Sequence, residues 1–208
     1  VPTSVSLFYP PGKRLEVLPP KPPVAPREQY LIDVSNYQGV LTDKWFDEWS
    51  AKGFSGIIVQ AVTGMDGHTL TARQLRKAEE KGWEINGYIW CTGEAPVTNR
   101  RLQLFEGIPI IDLWLDVEDM HLLPSDVDND FQLCDEYMGK KCGMYTGKWV
   151  FDRLGWSHRN YWSDRGLWVS IYDGSPDVNK GFVPFGGWEQ CLMKQYTDTP
   201  LDLNVRRV

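Results

Sequence analysis

From about residue 29 onward, apolar and polar positions alternate between two spacings. Short apolar runs that read as strands cover residues 30–35, 56–62 and 84–91, each followed by a stretch with helical spacing. Thr42 is placed to cap a helix through Lys52, with Trp45 and Trp49 on one face and Gly53 as its stop. The spacing predicts a second helix over 70–81, with Leu75 and Ala78 inward and Gly82 at its end, and a short third helix over 97–105. Ser125 and Asp128 have the spacing of a capping box, opening a helix to Met138 that buries Val127, Phe131, Cys134 and Met138. Strand signals return at 142–146, 166–172, 191–196 and 200–205, where Gly and Pro leave little room for helices between them. About five βα units followed by strands alone describe a barrel whose last third has lost its helices.

One run stands out. Within residues 109–119, Ile110, Ile111, Leu113, Trp114 and Leu115 lead into Asp116 and Glu118. As a strand inside a parallel sheet it is buried on both faces. Side chains two apart share a side, so Asp116 and Glu118 emerge together at the C-terminal end, where α/β folds place their chemistry. The plain alternative is a strand running into an acidic loop with Asp119, solvated and inert.

Residues 1–28 have a different character, holding eight of the fourteen prolines. Proline removes backbone donors, so this stretch reads as an extended Pro-rich arm or linker, with residues 29–208 as the barrel domain. The 208 residues suffice for a sizeable core. A net charge of −6 without a clustered basic face argues against a nucleic-acid partner. No run is long and apolar enough for a membrane span, and no signal-peptide pattern is present. The chain begins at Val1, as a processed protein or a piece of a longer one does. Cys91, Cys134, Cys142 and Cys191 are too scattered for a disulfide scaffold and read as buried free thiols, although a helix-to-strand turn could bring Cys134 and Cys142 together. His68, His121 and His158 lack metal-ligand spacing, so no metal or other cofactor is expected. Ten Trp and nine Tyr exceed the needs of one core, and flat aromatic faces serve sugars or protein partners.

In such a barrel the acidic residues at strand ends meet at one mouth: Asp33, Asp116, Glu118 and Asp202. Two carboxylates facing a cleft have a direct use in glycoside hydrolysis, one donating a proton to the glycosidic oxygen and another stabilising positive charge on the sugar. Tyr88, Trp90, Tyr145, Trp168 and Tyr172 sit at strand ends as candidate sugar contacts, each with a core role as the alternative.

The stretches 32–39 (Ile-Asp-Val-Ser-Asn-Tyr-Gln-Gly), 115–118 (Leu-Asp-Val-Glu), 144–146 (Met-Tyr-Thr), 167–172 (Leu-Trp-Val-Ser-Ile-Tyr), 195–197 (Gln-Tyr-Thr) and 202–204 (Asp-Leu-Asn) occur in the order found in glycoside hydrolase family 25 lysozymes, the bacterial and phage muramidases. The chain resembles that family over roughly residues 29–208. The resemblance implies a TIM-like (β/α)5(β)3 barrel and cleavage of the β-1,4 bond from N-acetylmuramic acid to N-acetylglucosamine in peptidoglycan, with retention. Carried over by motif, Glu118 is the general acid and later the base, and Asp116 orients the substrate's N-acetyl group as it attacks the anomeric carbon. Asp33 and Asp202 complete the acidic mouth, and Tyr145 contacts the acetamido sugar. Tyr37, Gln60 and Gln195 join the aromatic residues above as substrate-binding positions. Peptidoglycan glycan strands are then the partner and the cell wall or extracellular space the place of action.

Three departures bear on the cleft. The family's second strand ends in a Lys-Ala-Thr-Glu-Gly-like run where this chain has Gln60-Ala61-Val62-Thr63-Gly64; its third ends Gly-Tyr-His-Phe where this chain has Gly87-Tyr88-Ile89-Trp90; and Lys194 stands before Gln195-Tyr196 in place of Trp. They keep open a rival reading, a weakly active or inactive glycan-binding or structural module of a larger assembly such as a phage virion, joined to phage structural proteins through the arm. A third reading, metal-dependent chemistry at Asp33, Asp116 and Glu118, lacks a Gly-rich phosphate loop or a basic partner.

Overall fold

The computed structural model describes residues 27–63 and 65–208, with the side chains of 65–69 outside the described set. The proline-rich segment lies outside the described residues apart from its last two positions. Strands β1 (Glu28–Val34), β2 (Phe54–Gln60), β3 (Glu84–Trp90), β4 (Leu113–Asp116), β5 (Gly143–Thr146), β6 (Leu167–Ser170), β7 (Met193–Thr197) and β8 (Asp202–Arg207) close into one barrel in chain order. Neighbours from β1 to β7 are parallel, and β8 runs antiparallel between β7 and β1. Helices α1 (Asp43–Ala51), α2 (Met65–Glu80), α3 (Ala95–Leu102), α4 (Pro124–Met138) and α5 (Lys148–Leu154) follow the first five strands. This is the (β/α)5(β)3 arrangement expected from the loss of helical spacing late in the chain.

Two cores result from the period-two alternation of strand side chains. Inside the barrel, Leu31, Ile58, Tyr88, Trp114, Tyr145, Trp168 and Met193 form one cluster. Between barrel and helices, the intervening residues Ile32, Ile57, Ile89, Leu115, Val117 and Val169 join Phe46, Leu75, Phe105 and Phe131 in the other. Strands that supply both cores are apolar on both faces, hence their near-continuous apolar runs.

Local signals act largely as expected. Thr42 Oγ1 accepts from Trp45 N–H at 3.2 Å to cap α1, and Gly82, at φ 68°, ends the turn after α2. Two expectations need correction. The acidic strand is four residues long, and Ile111 is 49% exposed. Asp112 is drawn to the barrel floor by Lys140 (2.7 Å) and Arg206 (3.2 Å), which leaves Ile111 on the open lower rim. Helix α4 starts two residues earlier than the Ser125–Asp128 spacing suggests. Pro124 takes the first helical position, Leu123 is the N-cap, and Asp126 Oδ2 accepts from Leu123 N–H at 2.8 Å. Asp128 instead accepts from Trp162 Nε1 at 2.7 Å.

The N-terminal end of the barrel is plugged by polar groups. Arg206, 8% exposed, pairs with Glu84 at 2.7 Å and Asp112 at 3.2 Å and also donates to Gln29 Oε1. All four cysteines are buried free thiols.

Candidate active site

At the opposite, C-terminal end, inward-facing positions of successive strands converge on a cleft of about 250 Å3. The acidic lining comes from Asp33 at the end of β1, Asp116 ending β4, Glu118 two residues on, and Asp202 opening β8. Val117 between the carboxylates is fully buried on the outer side, and its N–H bonds Tyr145 O at 2.9 Å. The ladder therefore extends one residue past β4, and this fixes Asp116 and Glu118 on one side. Tyr88, Trp90, Tyr145, Trp168 and Tyr172 line the same cleft, as do Tyr37, Gln60 and Gln195. All twelve candidate residues are thus brought together.

Their exposures differ in ways that matter for ligand contact. Tyr37 is 91% exposed at the rim and Tyr172 53%, whereas Trp168 is 1% exposed and forms the floor under Tyr145, with ring centroids 4.4 Å apart. Gln195 Oε1 accepts from Tyr145 Oη at 2.6 Å, and the Tyr172 hydroxyl lies 3.4 Å from both. Three polar side chains, from β5, the loop after β6, and β7, are thereby held as one wall.

Burial sets the electrostatics. Asp116 is 4% exposed and its Oδ1 has no hydrogen-bond partner among the described residues. Desolvation, then the nearby Glu118 and Asp33 charges, push its pKa well above the usual carboxylate value, with Arg101 opposing them. Half-buried Glu118 is raised by desolvation as well. Asp33 is raised by burial and by Asp202, against the hydrogen bond it receives from Asn204. Asp202 is pushed up to about 6, chiefly by burial, with Asp198 adding to the rise and Gln195 opposing it. Raised proton affinity at a carboxyl group facing the cleft is the property a general acid requires.

Several residues around the site were not picked out from the sequence. Asn204, on β8, donates to Asp33 and accepts from Trp168 Nε1 at 2.8 Å. Its position two residues after Asp202 placed it on the inner face, a signal available from period two. Ser35 lines the cleft and accepts from Tyr37 N–H at 3.2 Å, shaping the 3-10 turn Asn36–Gln38. Arg101, on α3, donates to Trp90 O at 2.5 Å. Buried Asp130, on α4, accepts from the N–H groups of Thr92 (3.1 Å) and Gly93 (3.0 Å) and from Thr98 Oγ1 (2.7 Å), fixing the loop after β3. These helix-borne contacts carry no strand periodicity that would mark them. Among the described residues no group of three or more His, Cys, Asp or Glu side chains is set to hold a metal ion.

Lys194 lies on the outer face of β7, fully buried, and pairs with Asp173 at 2.8 Å while donating to Lys180 O at 2.8 Å and Asp177 O at 3.3 Å. The Lys for Trp departure therefore fastens the loop between β6 and β7 and points away from the cleft. Gln60 does line it, and the backbone beyond is held by Thr71 Oγ1, which donates to Gln60 O at 3.0 Å.

A closed βα barrel with an acidic, aromatic-lined cleft at the C-terminal ends of its strands defines a barrel hydrolase of the glycosidase class. Residues 32–204 match the family model "Glycosyl hydrolases family 25", and the chain belongs to that family. Lysozyme-like protein 5 of Caenorhabditis elegans is 26% identical over 147 residues, 63% of this chain and 67% of that protein. A probable GH family 25 lysozyme 3 of Dictyostelium discoideum is 25% identical over 170 residues, 74% of this chain but 35% of that protein, so the chain spans about a third of that relative's length. In fold, a family GH25 lysozyme from Aspergillus fumigatus superposes with a TM-score of 0.69 at 17% identity, covering 88% of this chain and 95% of that one.

Proposed function

We propose that this protein is an N-acetylmuramidase that cleaves the β-1,4 bond from N-acetylmuramic acid to N-acetylglucosamine in peptidoglycan, with retention. The observation that carries the reading is the pairing of Asp116 and Glu118 in one cleft, the first buried with an unpartnered Oδ1, the second half-buried and more open to a ligand. In the proposed mechanism Glu118, whose affinity for a proton is raised by desolvation, gives its proton to the glycosidic oxygen as the bond to the anomeric carbon breaks. The acetamido carbonyl oxygen of the same sugar attacks that carbon, and the Asp116 carboxylate accepts from the acetamido N–H and offsets the positive charge of the cyclic intermediate. Glu118, now a carboxylate, takes a proton from the water that opens the intermediate from the face the leaving group vacated. Two inversions give net retention.

Asp33 and Asp202 act on this pair through charge, and Tyr145, fixed by Gln195, faces the acetamido group. Tyr37, Gln60, Tyr88, Trp90 and Tyr172 supply the surrounding sugar contacts above the Trp168 floor. The substrate places the site of action at a cell wall, outside the cytoplasm. The division into a proline-rich segment, residues 1–28, and a barrel domain, 29–208, belongs to the same proposal.

Release of reducing ends from purified peptidoglycan by the parent and by Glu118→Gln tests it. Turnover by the parent and a loss of about 10^3 in kcat in the variant, with glycan binding retained, is the expected result. Binding by both proteins without turnover by either would make the barrel a glycan-binding module instead.

A further inference from the structure

The cleft of about 250 Å3 is smaller than the ~300–1,000 Å3 typical of small-ligand sites, yet a glycan cut internally must extend past the carboxylates on both sides. Binding surface must therefore continue beyond it. Tyr37, the most exposed aromatic residue of the rim, lines a second groove of about 460 Å3, with Val40, Leu41, Trp45 and Pro200. Val40 and Leu41 in turn line a third hollow of about 390 Å3, whose far wall is the α2 surface carrying Arg73 and Arg76. The three depressions share lining residues and form one path from the carboxylates to that helix.

The path is held in shape and changes charge along its length. Gln74, 2% exposed, donates to Ser35 O and Gly39 O, each at 3.1 Å, so the helix that carries the two arginines also clamps the turn that carries Tyr37. In the hollow, Glu80 is engaged by Lys77 at 2.7 Å, and Lys77 also reaches Asp43 at 3.3 Å. Arg73 and Arg76 are exposed, share one helix face, and make no ion pair among the described residues. Two unengaged guanidinium groups at the end of a sugar-sized groove, on a chain of net charge −6, suit a ligand that is saccharide at one end and carboxylate at the other.

We propose that the path is an extended substrate site in which the strand passes over Tyr37 and the carboxylates of a peptidoglycan stem peptide reach Arg73 and Arg76. It rests on the muramidase reading and adds a preference for peptide-bearing over peptide-free glycan. The test compares soluble peptidoglycan fragments with the same fragments stripped of peptide by an amidase, using the parent and an Arg73→Glu/Arg76→Glu double variant. Both positions are on the surface, so folding is not at stake. The ratio of kcat/KM on peptide-bearing to peptide-free glycan should fall about tenfold in the variant, and less at high salt. An unchanged ratio overturns the proposal. Should the parent cleave neither glycan, the muramidase reading fails on its own, and equilibrium binding of the two glycans to the two proteins decides the site: the same loss of peptide preference supports it, and equal affinities overturn it.

Discussion

Asn204 Nδ2 donates to Asp33 Oδ2 at 2.7 Å, joining the last strand of the barrel to the first across 171 positions of sequence. The Asn204 amide has one orientation that satisfies its surroundings. Its oxygen accepts from Trp168 Nε1, and its nitrogen reaches both Asp33 and the Asp202 backbone carbonyl at 3.3 Å. Asp33 therefore keeps a donor in a place where burial and Asp202 disfavour its charge.

Asn204→Asp removes that donor and adds a carboxylate beside Asp33 and Asp202. A loss of about 1–3 kcal/mol of stability at pH 7 is expected, with a smaller loss at pH 4 where the added carboxylate is protonated. Chemical denaturation at the two pH values checks it, and equal losses would refute the account.

The raised carboxylates give a signed pH effect on stability. Asp202 is raised from its ordinary value to about 6, so between those values the folded state binds more protons than the unfolded state, and stability falls as pH rises through that window. Asp202→Asn removes this term. Discounted for solvent screening of a partly exposed group, it should gain about 1 kcal/mol at pH 7 and nothing near pH 4, while activity drops. Melting curves of parent and variant at both pH values measure the difference.

On the rate side, Glu118 must carry its proton to act as acid. Its affinity for that proton is raised by desolvation, so kcat/KM is expected to be highest at mildly acidic pH and to decline on the alkaline side as Glu118 ionises. A profile that stays flat from about pH 5 to pH 9 would rule out Glu118 as the acid in the rate-limiting step.

At the other end of the barrel, Arg206 faces Glu84 and Asp112 with little solvent. Arg206→Ala leaves Glu84 without its cation, while Asp112 keeps Lys140, and should destabilise by about 1–3 kcal/mol, visible as a shifted urea midpoint at unchanged slope. The cleft lies at the opposite end, so the folded fraction should keep its kcat.

Gly143 lets β5 approach the Trp114 ring closely. A Cβ there would stand 2.3 Å from the Trp114 ring and 3.1 Å from the Gly166 carbonyl oxygen. Gly143→Ala forces that indole to move within a closed core and should cost about 1–3 kcal/mol, measured by thermal unfolding.

Period-two and helical spacing determined much of this protein before any coordinates. They place Leu31, Ile58 and Tyr88 inside and Ile32 and Ile57 outside, and they bring Asp116 and Glu118 to one side of a strand end. Runs of local residues encode such features because side-chain direction repeats with the backbone. Strand ends and motifs in the sequence also marked twelve of the thirteen residues that line the cleft, all but Ser35. Only the tertiary structure decided how β8 turns back antiparallel between β7 and β1 so that Asn204 meets Asp33, how Trp168 becomes a closed floor, and which face Lys194 serves. It also decided where β4 begins, since Asp112 answers to Arg206, 94 residues away. Partners so far apart in the chain leave no periodic trace, and the pKa shifts of the four carboxylates arise only once closure of the barrel has removed water from between them.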